Sequence, residues 1–187
     1  MIFFTSDLHF NHNREFIYKS RGFENIEDMN NKIVENWNNI VTNDDTVYVL
    51  GDLMLGGANG LDKGIGLVSQ LNGEIHIVIG NHDTDNRINA LKELPNVKSV
   101  LYADFLKYNG YKFFLTHYPS ISGNLEKETL KQVTINLFGH THQTTNFYMD
   151  YTFMYHVGVD SHDCKPVSID DVINDLKNNF NKCIEEL

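Results

Sequence analysis

The sequence predicts an α/β protein, and three observations carry that prediction. Short β-branched and aromatic runs alternate with stretches of helical periodicity. Several of those runs are apolar almost without a break, as strands covered on both faces should be. The chain has 187 residues, 41% of them hydrophobic and 21% charged. A chain of that length buries roughly 70% of its unfolded surface, enough for a core that needs no staples. Its composition excludes disorder and fibrous repeats.

In chain order, Ile2-Phe3-Phe4-Thr5 reads as the first strand. Ile26, Met29, Ile33, Trp37 and Ile40 then recur at helical spacing and predict an amphipathic helix. Thr46-Val47-Tyr48-Val49-Leu50 is the second strand. Gly56, Gly57, Asn59, Gly60, Gly64 and Gly66 follow it and suggest a mobile loop. Ile75-His76-Ile77-Val78-Ile79 is the third strand, with His76 read as structural. From Val97 to Lys112 the pattern is strand-like, and Asn109-Gly110 is a strong hairpin turn because both residues tolerate positive φ. Lys112-Phe113-Phe114-Leu115-Thr116 and Thr134-Ile135-Asn136-Leu137-Phe138 are two further strands, and Phe147 to Val159 is again strand-like. Ile169, Val172, Ile173, Leu176, Phe180, Cys183 and Ile184 form the stripe of a closing helix that covers the core. Ser168, placed after Pro166, is its expected N-cap. No linker composition interrupts the chain, so residues 1–187 are expected to form a single domain.

Lys and Arg number 15 against 25 Asp and Glu, a net charge of −10 with nine histidines uncounted. That balance disfavours a protein that coats nucleic acid or an anionic membrane, since such partners select for basic stripes. It leaves open a small phosphorylated substrate, with nucleic acid as a substrate only. Cys164 and Cys183 make neither a C-x-x-C motif nor a disulfide framework. The first residues lack a basic n-region, and no apolar window has the length of a membrane span. A cytoplasmic setting without a membrane partner is therefore expected.

Each of the five apolar runs ends in side chains able to bind a metal. The endings are Asp7-Leu8-His9, Gly51-Asp52, Gly80-Asn81-His82-Asp83, His117 and Gly139-His140-Thr141-His142. A lone Asp after a strand is an ordinary cap, but five strand ends carrying matching donors are not a coincidence. In open α/β sheets, ligands bind beyond the carboxyl ends of the strands. Asp7 and His9, like His140 and His142, are two residues apart, so in an extended segment both members would project to one side. Gly51, Gly80 and Gly139 each precede a donor, where a missing Cβ would let the chain turn sharply beside an ion. The mixture of carboxylate, imidazole and amide oxygen suits Mn²⁺, Fe or Zn²⁺ better than Ca²⁺. Asp7, His9, Asp52, Asn81, His117, His140 and His142 make seven donors. That is too many for one tetrahedral ion and suits two ions sharing Asp52. Two such ions, roughly 3.5–4 Å apart, generate a hydroxide near neutral pH and clamp a phosphoryl group.

The ordered set Asp7-x-His9, Gly51-Asp52, Gly80-Asn81-His82-Asp83, His117 and Gly139-His140-x-His142 resembles the full signature of the calcineurin-like metallophosphoesterases. The resemblance implies a four-layer αββα sandwich with two mixed β-sheets and a dinuclear metal site at the C-terminal ends of the strands. It places Asp7, His9, Asp52 and His142 on one ion, and Asp52, Asn81, His117 and His140 on the other. It makes His82 the acid that protonates the leaving group. Asp52 and Asp83 count with His82 as candidate catalytic residues, Asp83 to orient His82 or its loop, with turn stabilisation as the plainer alternative. Leu53-Met54-Leu55 stands where the Ser/Thr protein phosphatases carry a further Asp and Arg, so that branch is disfavoured. The repair nucleases, similar in these motifs, add a capping region and a coiled coil, for which no room is expected within these 187 residues. The segments around Asp7 to His12, Arg21, Met29, Trp37-Asn38 and Val157-Gly158-Val159-Asp160 resemble a compact microbial and phage subgroup.

The expected function is hydrolysis of a small phosphodiester or phosphomonoester by attack of a metal-bound hydroxide. The expected cofactors are two divalent transition-metal ions, Mn²⁺ first, with Fe, Zn²⁺ or Ni²⁺ as alternatives. His12, Arg14 and Arg21 are candidate contacts for the substrate phosphate. The competing readings are an Mn²⁺-dependent nuclease and a non-catalytic binding or scaffold module with a vestigial metal site.

Overall fold

A computed structural model describes residues 1–56, 60–122, 129–149 and 151–185, with side chains to Asn181. The elements run β1 (Ile2–Thr5), α1 (Glu15–Tyr18), α2 (Ile26–Asn38), β2 (Thr46–Leu50), α3 (Gly60–Val68), β3 (Glu74–Val78), α4 (Asp85–Lys92) and β4 (Val97–Leu101). They continue with β5 (Asp104–Tyr108), β6 (Tyr111–Leu115), β7 (Ile135–Phe138), β8 (Phe147–Tyr148), β9 (Tyr151–His156), β10 (Val167–Ser168) and α5 (Ile169–Glu185). The fold is α/β with two mixed five-stranded sheets, ordered β10-β1-β2-β3-β4 and β5-β6-β7-β9-β8.

The five donor-tipped strands form within one residue of their predicted ends, and the strand-like stretches resolve into β4 with β5 and, ending at His156 instead of Val159, β8 with β9. The Asn109-Gly110 hairpin joins β5 to β6 with φ of 47° and 85°, the positive pair that such a turn needs. The first sheet is parallel except for β10, and in the second β6, β7 and β9 run parallel. Parallel neighbours deliver their carboxyl ends to the same side, so β1, β2 and β3 release their chain ends together, as do β6 and β7.

Two apolar clusters hold the layers. On one face of the first sheet, Met29, Ile33 and Trp37 of α2 pack with Phe3, Val47, Val49, Ile75 and Ile77, joined by Val68 of α3 and Leu91 of α4. Asn25 caps α2 by accepting the Asp28 N–H, and the Trp37 indole donates to the Asn72 carbonyl at 2.9 Å. On the other face, Phe4, Leu50 and Val78 meet Phe113, Leu115, Ile135, Leu137 and Tyr155 of the second sheet. Helix α5 adds Ile169, Val172, Ile173 and Leu176 to this cluster, and Ser168 caps the helix by accepting the Asp171 N–H. Each fully buried side chain of this size contributes roughly 1.5–3 kcal/mol.

Two expectations are corrected. The glycine-rich stretch is largely not a loop, because Gly60, Gly64 and Gly66 lie in α3; Gly57 and Asn59 lie outside the described residues. Packing explains the helix: a Cβ at Gly64 would sit 2.6 Å from Met54 Sδ, so glycine is what lets α3 close on Met54. Cys183 and Ile184, expected in the α5 stripe, lie beyond the described side chains. Short α1, together with α3, α4 and β10, was not foreseen from periodicity.

Candidate metal centre

The chain leaves β1, β2, β3, β6 and β7 at one edge and brings seven donor side chains together there. Asp7, His9, Asp52 and His117 are at most 1% exposed, while His142 and His140 close the outer side. Two sets of ligand atoms gather closely enough to hold an ion: Asp7 with His9 and His142, and Asp7 with Asp52 and His117. In the first set, His9 Nε2 and His142 Nε2 each lie 3.9 Å from Asp7 Oδ1 and 3.1 Å from each other. Asp52 Oδ2 lies 3.8 Å from His9 Nε2 and 3.6 Å from His117 Nε2, between the two halves. Asn81 Oδ1 lies 2.9 Å from His117 Nε2 and 2.8 Å from His140 Nδ1, which adds those residues to the second half.

The local backbone differs from the extended conformation expected for the paired motifs. Asp7, His9, Asp52, His140 and His142 all have positive φ, between 49° and 68°. Asp, Asn and His are the side chains that visit this region most readily, yet five such residues in one site are a concentration of strain typical of functional centres. Same-side projection of Asp7 and His9 thus comes from alternating left-handed residues in a loop.

The glycines serve neighbouring donors more than ions. Gly51 has φ of 91° and carries β2 into the Asp52 turn. A Cβ at Gly139 would sit 2.5 Å from Asp7 Oδ2, in the space that this carboxylate fills.

Burial and neighbouring charges shift the site's groups in different directions. Burial drives His9 down to about 2, helped by the charges of His142 and Arg21, and it lowers His140 as well. Asp7 is raised by burial, against the pull of His142. For His142 burial works downward, but the hydrogen bond to Asp160 and the Asp7 charge outweigh it and the group is raised. The lowering of His9 and His140 favours the neutral imidazole, the form that binds a metal.

Three observations test whether a divalent cation fits. Asp7 Oδ1 is buried and has no hydrogen-bond partner, although Oδ2 is held by Ser6 Oγ at 2.6 Å and the His140 N–H at 2.9 Å. The His117 Nδ1–H donates to the Leu50 carbonyl at 2.8 Å, which leaves Nε2 facing Asn81 Oδ1 at 2.9 Å. A ring nitrogen and an amide oxygen so placed can both give a lone pair to one cation. The donor set itself is carboxylate, imidazole and amide oxygen, and it fits.

The other predicted residues occupy distinct places. His82 stands at the mouth with 41% of its side chain exposed, its Nε2 4.0 Å from Asp52 Oδ2 and its ring against His9. Asp83 is buried beneath the donors, where Oδ2 accepts the N–H groups of Gly80 and Asp52 at 2.8 and 2.9 Å. His12 faces His9, with Nδ1 3.3 Å from its Nδ1, and Arg14 is exposed. Arg21 departs from its expected place at a substrate phosphate. Its side chain is only 2% exposed, and all five N–H groups already have acceptors in Asp160, the Asp7 and Leu8 carbonyls and Met29 Sδ. Asp160, which the sequence marks only as the end of the Val157-Gly158-Val159-Asp160 segment, acquires a chemical role in the structure. It accepts the His142 Nδ1–H at 2.9 Å.

A cavity of about 1000 Å³ opens beside the centre. Its lining includes His9, His12, His82 and His142 together with Phe16, Phe23 and Lys32.

The domain model of the calcineurin-like phosphoesterase superfamily matches residues 1–161. The chain belongs to this family. Calcineurin-like phosphoesterases usually bind divalent metals, and the Asp and His groups above are ligand sets of that kind. An uncharacterized protein of Methanocaldococcus jannaschii is 36% identical to this calcineurin-like chain, over 92% of it and 89% of the relative. The gene 66 protein of Mycobacterium phage L5 is 24% identical over 84% of this chain and 86% of its own. Among solved structures, a protein of unknown function from Aquifex aeolicus shares the calcineurin-like fold. It superposes with a TM-score of 0.71 at 23% identity, covering 93% of this chain and 98% of that one. No helix among the described residues is long and apolar enough to cross a membrane.

Proposed function

We propose that this protein is a dinuclear-metal-dependent phosphoesterase, a phosphodiesterase first, acting on a small phosphodiester or phosphomonoester. One observation carries the reading: two donor sets meet around Asp7 and Asp52, and two of their histidines, His9 and His142, line a pocket together with His82. Asp7, His9, Asp52 and His142 would hold one ion, and Asp52, Asn81, His117 and His140 the other. Bound divalent ions, Mn²⁺ first, with Fe, Zn²⁺ or Ni²⁺ as alternatives, would supply Lewis acidity to the phosphoryl oxygens and lower the pKa of water.

The chain's own residues do the rest. His82, half-exposed with Nε2 4.0 Å from Asp52 Oδ2, would donate a proton to the departing ester oxygen. Its main chain is anchored, since the His82 N–H donates to Asp52 Oδ1 at 2.9 Å and Arg87 donates to the His82 carbonyl. His12 lines the pocket with His82, and His12 and exposed Arg14 would meet a phosphate oxygen. Asp83 fixes the loop that aims His82.

The cavity favours a diester. Beside His82 and His142 its lining includes Phe16, Ile17 and Phe23, which gives apolar surface for an organic arm on the second ester oxygen. Pockets of several hundred cubic ångströms lined by apolar groups suit small molecules.

The test is a substrate panel with purified protein and Mn²⁺, Ni²⁺, Fe²⁺, Zn²⁺ or Mg²⁺. It compares bis(p-nitrophenyl) phosphate, p-nitrophenyl phosphate, 2′,3′-cyclic nucleotides and a labelled oligonucleotide. Metal-dependent turnover, greater on small diesters than on monoesters, is expected. Cleavage confined to the oligonucleotide would make it a nuclease, and absence of turnover with every metal would favour a scaffold.

A further inference from the structure

Arg21 and His142 are 121 positions apart in the chain, and one carboxylate joins them. Arg21 Nε and Nη2 donate to the two oxygens of Asp160 at 2.8 and 3.0 Å, a bidentate pair whose members are 2% and 9% exposed. Asp160 Oδ2 also accepts the His142 Nδ1–H at 2.9 Å. With Nδ1 held, the other ring nitrogen of His142 faces His9 Nε2 and Asp7 Oδ1, in the first donor set. At its other edge Arg21 donates to the carbonyls of Asp7 at 2.8 Å and Leu8 at 3.2 Å, within the left-handed segment that carries Asp7 and His9.

The segment holding Asp160 is itself fixed between the sheets. Gly158 bridges to Ser6, the Val159 N–H donates to the Ser6 carbonyl, and the Val157 N–H donates to Phe138. A buried ion pair adds little net stability when compared with apolar packing of the same volume. Here both ends of the pair stop at candidate ligands, which is the arrangement by which a carboxylate fixes the tautomer and aim of a ligating histidine.

We infer that Arg21 and Asp160 are positioning residues for one of the two ions. Asp160 aims His142 Nε2 inward, and Arg21 clamps Asp160 to the Asp7-Leu8-His9 loop, so that three ligands from two distant segments hold one geometry. This inference rests on the dinuclear reading. It goes beyond that reading by assigning the pair to the ion of Asp7, His9 and His142 only, since neither residue touches Asn81, His117 or His140.

The experiment titrates Mn²⁺ alone into metal-free full-length protein by calorimetry, with stoichiometry checked by elemental analysis after dialysis. Wild type should bind two ions. Asp160→Asn should weaken one by ~10–100-fold, the usual effect of losing such a partner, and leave the other within about threefold. Asp160→Ala, which keeps no acceptor for the His142 Nδ1–H, should weaken the same ion further. A fold-wide defect would weaken both ions together. Arg21→Lys keeps a charge opposite Asp160 but gives up the fork, and should weaken the same ion; it carries the test if the Asp160 variants do not fold. Folded variants that bind both ions with wild-type affinity, or lose both equally, would overturn the inference while leaving the dinuclear centre standing. A wild-type chain that binds no Mn²⁺ would overturn both.

Discussion

Asp83 Oδ2 accepts the backbone N–H of Asp52 at 2.9 Å and that of Gly80 at 2.8 Å. One buried carboxylate therefore ties the loop after β3, which carries Asn81 and His82, to the loop after β2, which carries Asp52. The site is held from below by backbone hydrogen bonds before any ligand meets it. Asp83→Ala leaves two buried N–H groups without a partner, at roughly 1–3 kcal/mol each. Urea denaturation of the metal-free protein should show a loss of several kcal/mol, with Asp83→Asn retaining part of it through its amide oxygen. Wild-type stability in Asp83→Ala would refute this role.

The mouth position of His82 separates proton donation from metal binding. His82→Asn should leave the Mn²⁺ stoichiometry intact and lower kcat by roughly 10²–10⁴-fold on diesters with poor leaving groups. With p-nitrophenolate, which leaves without a proton, the loss should be small. Equal losses on alkyl and nitrophenyl esters would contradict the assignment.

Gly139 leaves the space that Asp7 Oδ2 occupies. Gly139→Ala should displace that carboxylate and abolish binding of at least one ion, although β7 and the second sheet persist. Circular dichroism paired with metal analysis checks it, and full metal loading in the variant would count against the packing argument.

His156 gives a pH prediction away from the donors. It is fully buried, with Nδ1 on Ser161 at 2.8 Å, and burial, reinforced by His162, lowers it from 6.5 to about 3. A group depressed on folding is neutral in the folded chain while the unfolded chain takes up a proton. The full contribution is present above about pH 6.5 and is lost as pH falls toward 3, at up to about 1.4 kcal/mol per pH unit. In His156→Gln the stability of metal-free protein should fall less steeply across that window, by about one proton. Parallel slopes for the two proteins would show that His156 does not titrate in this way.

Much of this architecture was legible in the sequence because a parallel sheet writes itself as continuous apolar runs. Donors placed directly after Thr5, Leu50, Ile79, Thr116 and Phe138 could be read as one crevice for the same reason. The left-handed turns at Asp7 and His9 were not legible, since a D-x-H spacing is compatible with an extended strand. Arg21 read as a phosphate contact because its partner, Asp160, lies 139 positions away, beyond any periodicity. Helix α3 was hidden because Gly60, Gly64 and Gly66 argue locally for a loop, while contact with Met54 rewards the helix. Phe16 and Phe23 were passed over for want of a motif, and only the folded chain shows them on the cavity beside the histidines.

The central claim is a two-ion centre held through Asp52, whose Oδ2 lies between His9 and His117. Elemental analysis of wild-type and Asp52→Asn protein, each loaded with Mn²⁺ and dialysed, tests it most directly. The account predicts two ions per chain in the wild type and fewer than one in Asp52→Asn, with turnover of bis(p-nitrophenyl) phosphate abolished in step. A wild type that retains no ion, or an Asp52→Asn protein that retains both and turns over at the wild-type rate, would contradict it.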